Sequence, residues 1–455
     1  MSSNPKSVGR VSPLGRNPTD RSQVSALGHE DAGLRCANPT YGTDWAKTTL
    51  GGILTLQRGM DLPVQNRKSG LVPIVASTGV VGFHSEAPVK GPGVVIGRSG
   101  SIGGGQYVDC DFWPLNTTLW IKDFKGNDVR FCYYLLRSID FSGLNAGSGV
   151  PTLNRNHLHP MPMLRPPVSE QKQIAALLGA LDDRITLLRE TNATLEAIAQ
   201  VLFKSWFVDF DPVHAKQQGR APEGMDEATA ALFPDSFEES ELGFVPKGWK
   251  ICIVGDITQQ IFSGGTPDTR KSEYWIGQIP WFSSGETRER FVIDTEKKIN
   301  LEAIRNSSTK LALPGDILIA SAGQGHTRGQ TSFCAIETYI NQSVVSVRTD
   351  IKKCHPIWLF YNLSRRYDEM RNISDSHSSR GSLTTKLLAG MRVALPEYKL
   401  IKVFADTMME LIDSQIHNSK RIAILTDLRD TLLPRLISGQ LRLPEAEALL
   451  EKTCP

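Results

Sequence analysis

The chain has 455 residues, of which 40% are hydrophobic and 22% are charged, and its formal net charge is +3. This length fits two or three domains of about 150 residues each. The absence of any run of about eighteen apolar residues, and of an apolar N-terminal segment, argues against a membrane span or secretory signal and predicts a cytoplasmic protein without membrane contact. The seven cysteines are scattered without a CxxC pair, which indicates neither a zinc site nor a disulfide framework.

The first part of the chain divides into a leader and a mixed domain. Residues 1–40 are rich in Ser, Pro, Gly and Asn and are predicted to form a disordered leader. A first domain is predicted over 41–168, with structure beginning at Trp45. Between residues 72 and 121, short apolar runs alternate with glycine-rich turns, a pattern typical of β-strands. The segment VRFCYYLLRS is predicted to be helical, and the polar loop NAGSGVPTLNRN follows it.

A long helix is predicted over 169–209. Ser169 can cap its N-terminus, and Glu170 in the first turn suits the helix dipole. Apolar residues recur at alternating intervals of three and four, the heptad pattern of a helix that packs along a partner helix. A long core helix of an ordinary globular domain gives the same pattern. The residues of this apolar face are Ile174, Leu178, Leu181, Ile185, Leu188, Leu195, Ala199, Leu202 and Trp206.

The second half of the chain repeats the first. Residues 210–244 are acidic and contain several prolines, and they are predicted to form a partly ordered connector. Beyond them, Trp249 matches Trp45 at an offset of 249 − 45 = 204, and Met391 matches Met161 at 391 − 161 = 230. We therefore predict a second domain over 245–397, a second helix over 398–438 and a C-terminal tail over 439–455.

Two helices with apolar faces, each poorly stable alone, are expected to pack together. An antiparallel arrangement places one domain at each end, so that one chain imitates a symmetric dimer. Asn192 and Asn418 lie near the middle of the two faces, and we hypothesise that they meet and fix the register; alternatively, both face solvent. Pro434 lacks a backbone donor, so the second helix is expected to kink or end near Leu433, with Gly439 closing the final turn.

A rod of this kind separates two domains by a fixed distance. A continuous first helix is about 58 Å long, and paired readers of duplex DNA contact half-sites about 34–36 Å apart. The same rod would also suit a scaffold that spaces two protein partners, so the geometry alone leaves both functions open.

Three segments carry a family resemblance. They are the first helix with its flank, SEQKQIAALLGALDDRITLLRETNATLEAIAQVLFKSWFVDFDPV, the connector end LFPDSFEESELGFVPKGW and the closing DTLLPRLISGQLRL. These segments resemble the specificity subunit of Type I restriction-modification systems, and the resemblance extends from about Trp45 to Leu443. It implies an α+β fold with two β-rich target-recognition domains, two long antiparallel coiled-coil helices and an internal pseudo-two-fold repeat.

The resemblance also implies partners. Each recognition domain is expected to bind one half of a bipartite sequence in double-stranded DNA, while the helices set the spacing and dock two modification (methyltransferase) subunits. Restriction (translocase/nuclease) subunits are expected to join the same complex. S-adenosylmethionine, ATP and Mg are expected on these partner subunits, and no cofactor is expected in this chain. The polar outer face of the first helix is a candidate docking surface, with Lys172, Asp183, Arg184, Glu190 and Glu196.

The sequence contains no recognisable catalytic constellation, so a non-catalytic subunit is expected. The only Pro-Pro pair, Pro166-Pro167, is not part of an adenine-methyltransferase [DNS]PP[FYW] motif, and no GxxxxGK[ST] phosphate loop is present. The glycine-rich stretches Gly97–Gly105 and Ser321–Gly329 lack the strand–GxGxxG–helix context of a nucleotide site. No histidines lie at metal-ligand spacing.

Polar loop residues are the candidate DNA contacts. Arg and Lys suit guanine O6/N7 or phosphate, and Asn and Gln suit adenine N6/N7; the alternative for each residue is a solvated loop position or a turn former. In the first domain the candidates are Ser77, Thr78, Arg98, Ser99, Ser148, Asn154 and Arg155. In the second they are Ser283, Ser284, Gln324, Arg328, Ser379, Arg380 and Lys386.

Two alternative functions stay open at this point. The chain could be the specificity subunit of a related methylation-based defence system without a Type I translocase. It could also be a tandem-repeat protein scaffold that does not bind DNA.

Overall fold

The computed structural model describes residues 45–145, 147, 149–323, 325–377 and 381–453. The predicted leader over 1–40 lies outside these residues. From Ala46 onward the elements belong to one structural unit. Within the described part of the chain, no helix is both long and apolar enough to cross a membrane.

Domain 1 comprises the elements from β1 to β9. A four-stranded sheet has the order β2-β8-β5-β6, and a three-stranded sheet has the order β4-β3-β7. All five residues of β5 are buried, as expected for the apolar run GVVIG. The elements are β1 Ala46–Thr49, α1 Leu50–Ile53, β2 Thr55–Arg58, β3 Val72–Ala76, β4 Gly79–His84, β5 Gly93–Gly97, β6 Gly103–Val108, β7 Trp113–Pro114, β8 Thr118–Asp123, α2 Val129–Arg137, α3 Arg155–Leu158 and β9 Pro162–Arg165.

Domain 2 comprises the elements from β12 to β22 and has the same plan with additions. Its main sheet has the order β13-β21-β18-β19-β15, and its second sheet the order β16-β14-β20-β17. The elements are β12 Lys250–Ile253, β13 Thr258–Ser263, β14 Ile279–Phe282, β15 Phe291–Val292, β16 Lys297–Ile299, α7 Leu301–Arg305, β17 Lys310–Ala312, β18 Ile317–Ala320, β19 Thr331–Cys334, β20 Thr338–Ile340, β21 Val344–Thr349, α8 Pro356–Ser364, α9 Tyr367–His377, α10 Thr385–Ala389 and β22 Arg392–Leu395.

The internal repeat extends to the register of the paired strands. β1 pairs with β9 through Ala46 and Arg165, and β12 pairs with β22 through Lys250 and Leu395. These partners differ by 250 − 46 = 204 and 395 − 165 = 230, the two offsets found in the sequence. The repeat therefore describes the fold as well as the amino-acid pattern.

The predicted pair of long antiparallel helices is confirmed. α4, Val168–Phe207, and α11, Tyr398–Ile437, each have 40 residues and pack along each other. Asp182 in the first half of α4 contacts Arg429 in the last quarter of α11, and Asn192 contacts Asn418 nearer the middle of both helices, as an antiparallel pair requires. The Nδ2 of Asn418 donates to the Oδ1 of Asn192 at 2.9 Å, so the two asparagines meet as hypothesised.

One end of the helix pair carries a cluster of aromatic rings, here the aromatic cluster: Phe203, Phe207, Trp358, Tyr361 and Phe404. The ring of Phe404 lies 5.0 Å from that of Phe207 and 5.6 Å from that of Phe203, centre to centre. Such pairs add to the stabilisation from apolar burial. Because Trp358 and Tyr361 belong to α8, the aromatic cluster joins domain 2 to both long helices.

Domain 1 is joined to α4 in a different way, through the buried amide of Gln171. Its Nε2 donates to the Oδ1 of Asn127 at 2.8 Å and to the Pro166 carbonyl at 2.9 Å. Its Oε1 accepts from the backbone N–H of Asp128 at 2.9 Å. A buried amide with its polar groups paired avoids the cost of unmet hydrogen bonds.

The connector is more ordered than its sequence predicts. It contains α5 Asp211–Gln217, α6 Glu227–Ala230, β10 Phe237–Ser240 and β11 Gly243–Pro246, and Phe233 packs edge-on to Trp206 at 5.4 Å. Its apolar residues thus join the core around the aromatic cluster. The predicted C-terminal tail contains a helix too, α12 Leu443–Thr453.

The ends of the two long helices differ from the sequence-based expectations in two ways: Ser169 does not cap α4, and α11 does not end near Leu433. Pro167, without a side-chain hydrogen bond, occupies the N-cap position of α4, so Ser169 lies inside the helix and does not cap it. α11 continues through Pro434 to Ile437, because a proline removes only one backbone donor and the flanking Leu432, Leu433 and Leu436 are buried. Gly439 follows with a φ of 71°, the left-handed closing residue expected there.

Candidate nucleic-acid interface

An open cleft of about 890 Å³ lies in domain 1 where the end of β2 meets two loops. Three arginines border it, Arg58, Arg98 and Arg155, together with one carboxylate, Asp61. The cleft therefore has an excess of positive charge. The remaining lining residues are Gln57, Gly59, Met60, Leu119, Thr152, Leu153 and Asn154.

Backbone hydrogen bonds hold Arg98 in place at the end of β5. Its N–H donates to the Thr117 carbonyl at 2.8 Å, and its carbonyl accepts from the N–H of Leu153 at 2.8 Å. The neighbouring N–H of Ser99 donates to the same Thr117 carbonyl at 3.0 Å. The position of Arg98 is thus fixed without using its side chain, whose Nη1 makes only a long 3.5 Å contact to the Asn116 carbonyl.

The turn between β3 and β4 lies beside this loop. Ser77 and Thr78 form the two-residue turn, and the N–H of Ser77 is 3.4 Å from the Thr117 hydroxyl. Gly97 lies against both this turn and the loop after β5, since a Cβ there would be 3.3 Å from the Cβ of Ser77 and 1.9 Å from the Ser101 carbonyl oxygen. Ser77 and Arg98 are therefore brought near one residue, Thr117.

Asn154 and Arg155 enter the cleft from α3. Asn154 is the N-cap of this helix, and its Oδ1 accepts from the N–H of Asn156 at 3.0 Å. Its amide NH2 is not used in that cap. Arg155 is exposed, and its Nη1 makes a 3.5 Å contact to the Leu56 carbonyl. Both side chains thus keep donors available at the rim.

A neutral histidine supports the floor of the same region. The Nε2 of His159 accepts from the N–H of Leu56 at 3.0 Å, which requires that nitrogen to be unprotonated. Burial lowers the pKa of His159, and the cations Arg155 and Lys125 lower it further. The protonation state of His159 is therefore coupled to the positive charge of the cleft.

In domain 2 the predicted contact residues have other roles or lie apart. The Ser283 hydroxyl donates to Glu286 at 2.9 Å within the cap of a short 3-10 segment, and the Ser284 carbonyl accepts from Thr287 at 2.7 Å. Arg328 is only 5% exposed and is paired with Asp375 and the Gly381 carbonyl. Lys386 is exposed on α10.

The structure thus gathers some of the predicted residues and not others. In domain 1, Ser77, Arg98, Ser99, Asn154 and Arg155 surround one region, with Thr78 in the adjoining turn. The cleft also contains Gln57, Arg58 and Asp61, which were not among the predicted contacts, although the polar run LQRGMD at the end of a strand was a usable signal. Four predicted residues lie outside the described part of the chain: Ser148, Gln324, Ser379 and Arg380.

The outer face of α4 is mostly as predicted. Lys172, Arg184 and Glu190 are exposed, and exposed Asp183 pairs with Arg130 of α2. Glu196 is not on this face, because its carboxylate lies 2.8 Å from Arg290 and accepts from the Tyr361 hydroxyl at 3.3 Å. It belongs to the contact between α4 and domain 2.

The comparisons with known proteins agree with this architecture. The family model "Type I restriction modification DNA specificity domain" matches residues 42–197 and 246–426. The chain is similar to the Type I restriction enzyme HindI specificity subunit of Haemophilus influenzae, with 26% identity over 74% of this chain and 84% of that protein. It is also similar to the MjaIX specificity subunit of Methanocaldococcus jannaschii, with 25% identity over 73% of this chain and 74% of that protein.

A solved structure has the same fold. It is the S subunit of a Type I restriction-modification system from M. genitalium, with a TM-score of 0.58 and 17% identity, and the match covers 88% of this chain and 97% of that one. The family model matches both halves of the repeat and more than half of the chain. The chain therefore belongs to the family of Type I restriction-modification DNA specificity subunits.

Proposed function

We propose that domain 1 and domain 2 each bind one half of a bipartite DNA target and that α4 and α11 set the distance between the halves. The observation that supports this best is that the two domains share the same arrangement of paired strands but carry different polar side chains at equivalent positions. Base readout depends on which donors and acceptors meet the base edges. Two copies with unlike side chains therefore suit two unlike half-sites.

The helix pair has a second role in this proposal, the docking of two methyltransferase subunits. Besides its charged residues, α4 exposes the apolar side chains of Leu187, Ile198 and Val201, each at least half exposed. These residues lie outside the face that α4 buries against α11. Exposed apolar residues on an already packed helix suit a protein partner.

Catalysis and cofactor binding belong to the partners in this proposal. S-adenosylmethionine is bound by the methyltransferase subunits, and ATP and Mg by restriction subunits, while this chain supplies recognition only. The complex acts in the cytoplasm, where it meets DNA.

The test is an exchange of domain 1. In cells carrying the system, residues 45–165 are replaced by the corresponding segment of another specificity subunit, and methylated adenines are mapped across the genome. We expect one half of the methylated sequence to change and the other half, with the spacer length, to stay the same. The segment suits exchange because β1 and β9, which enter and leave it, are paired with each other.

The matched control is the reciprocal exchange of residues 249–395, which should change the other half only. A methylated sequence that is identical after both exchanges would contradict the proposal and would favour a scaffold that does not touch DNA. If the methyltransferase subunit copurifies with the chain and no helicase-nuclease does, the methylation-only alternative gains support.

A further inference from the structure

The cleft of domain 1 has a counterpart in domain 2, and its position can be found from the backbone. Ser321 makes the same two hydrogen bonds as Arg98: its N–H donates to the Ser343 carbonyl and its carbonyl accepts from the N–H of Leu383, both at 2.8 Å. Leu383 is the repeat partner of Leu153. Ser321 therefore occupies the position of Arg98.

The other two arginines are matched in the same way. Arg58 is paired with Leu119 across the β2–β8 ladder, and Ser263 is paired with Val345 across the β13–β21 ladder. Arg155 is the first residue of α3 after its cap, and Thr385 is the first residue of α10 after its cap. Each arginine in domain 1 thus corresponds to a hydroxyl residue in domain 2.

The carboxylate of the cleft, Asp61, is also replaced by a neutral residue in domain 2. Asp61 accepts a hydrogen bond from Asn116, and at the equivalent place Thr266 is hydrogen-bonded to Gln342. The charged groups of the first cleft, three cations and one anion, are all replaced by neutral groups in the second. The exposed cation closest in sequence to these neutral groups is Lys386, one residue after Thr385.

The arginines are available to a ligand. Within the described residues, the Arg58 side chain has no ion pair or hydrogen bond, and the side chains of Arg98 and Arg155 make only the 3.5 Å contacts to carbonyls given above. Guanidinium groups donate in a fixed fork that matches paired acceptors, such as guanine O6/N7 or two phosphate oxygens. Hydroxyl groups offer no charge and no fork.

We propose that the cleft formed by Arg58, Arg98 and Arg155 is a subsite for a paired acceptor group of DNA, either the O6/N7 edge of a guanine or a backbone phosphate, and that the equivalent place in domain 2, where hydroxyl residues replace the arginines and Ser321 is buried, is not such a subsite. This inference rests on the proposed function, because it assumes that domain 1 meets DNA. It makes the two half-sites chemically different: the one bound by domain 1 depends on arginine donors.

The test transfers the residues of domain 2 into domain 1. The variants are Arg58→Ser, Arg98→Ser and Arg155→Thr, which the same backbone frame already accommodates in domain 2. Each full-length variant, assembled with its methyltransferase subunits, is titrated with a duplex carrying the methylated sequence at several salt concentrations. The methylated sequence is mapped in cells in parallel. Arg220→Ser is the control, because it removes an exposed arginine from the connector, away from the cleft.

Two positive outcomes separate the two acceptor groups. If Arg98 contacts a guanine, Arg98→Ser weakens binding about 10- to 100-fold and relaxes one guanine position in one half-site; Arg98→Lys, which keeps the charge without the fork, also relaxes it. If Arg98 contacts a phosphate, the methylated sequence is unchanged. In Arg98→Ser the magnitude of the slope of log affinity against log salt concentration then falls by about 0.9. Arg98→Lys, which keeps the positive charge, has the wild-type slope.

The inference is overturned if all three variants match Arg220→Ser in affinity, salt slope and methylated sequence. Thermal melting of each variant checks that it is folded. If Arg98→Ser does not fold, the binding and methylation results for Arg98→Lys take its place. Failure of the proposed function has a different signature, since the wild-type complex would then bind the duplex no better than an unrelated one.

Discussion

At the scale of single residues, the most informative pair is Asn192 and Asn418. Besides the bond between their side chains, the Nδ2 of Asn192 donates to the Gln415 carbonyl at 3.1 Å and to the Ser419 hydroxyl at 3.2 Å. A polar group of this kind inside an apolar helix contact favours the one register in which its partners are met. Sliding the helices by one heptad would leave both amides opposite apolar side chains.

Replacement of one asparagine should therefore cost more than replacement of both. Asn192→Leu leaves the Asn418 amide without its acceptor, and we expect a loss of about 1–3 kcal/mol in the free energy of unfolding. Asn192→Leu with Asn418→Leu should cost less than the sum of the two single changes, because no unpaired amide remains. Urea denaturation of the four proteins measures this coupling; strictly additive losses would show that the asparagines do not act as a pair.

His159 makes a prediction about pH. Its pKa in the folded chain lies below the value of about 6.5 expected in an unfolded chain, so between these values the unfolded chain binds more protons. The stabilisation by the neutral ring is thus complete above about pH 6.5 and is lost as the pH falls through the folded pKa.

The comparison uses His159→Gln, whose side chain can accept from Leu56 without titrating in this range. Melting temperatures recorded from pH 8 down to pH 5 should fall more steeply for the wild type than for the variant. Parallel curves would rule out His159 as the source of the pH dependence.

At the scale of elements, local patterns predicted much of what the structure contains. The heptad spacing placed the first long helix, and the repeat offset placed the second, each within a few residues of its ends. What could not be predicted is where distant partners meet. Arg328 looked like a free loop arginine, yet its partners Asp375 and Gly381 lie about fifty residues further along the chain. No local pattern shows such a pairing.

The same limit applies to capping residues. Asn154 and Ser283 were both predicted as contact residues, and each also uses a side-chain oxygen at the start of a helical turn. Ser, Asn and Asp favour caps and contact loops alike, so composition cannot separate the two roles. The cleft of domain 1 depends on β2, the loop after β5 and α3 coming together, so the polar run LQRGMD could mark Arg58 as a possible contact without showing which residues it meets.

At the scale of the whole molecule, the two ends of the rod are built differently. Domain 2 is joined to the helix pair by the mostly edge-on and tilted rings of the aromatic cluster, and domain 1 by the paired amide of Gln171. Phe404 and Ile174 occupy equivalent positions in the repeat, and both are fully buried. Truncating each of them therefore tests one end against the other.

Phe404→Ala should cost about 3–5 kcal/mol and Ile174→Ala about 2–5 kcal/mol. The two variants should also differ in where the backbone is destabilised, as measured by hydrogen exchange with mass spectrometry. Exchange should increase in domain 2 and the connector for Phe404→Ala, and in domain 1 for Ile174→Ala. An equal increase at both ends in either variant would mean that the rod transmits the disturbance along its length.

The paired strands β1–β9 and β12–β22 have a consequence for how such a chain can grow. The two offsets of the repeat, 204 at the first strand of each pair and 230 at the second, differ by 26 residues. All of this extra length in domain 2 therefore lies between a strand that enters and a strand that leaves side by side. Each strand pair holds the first and last residues of its domain side by side. Loops and strands can therefore be gained or lost within one domain without moving the helix that follows or altering the other domain.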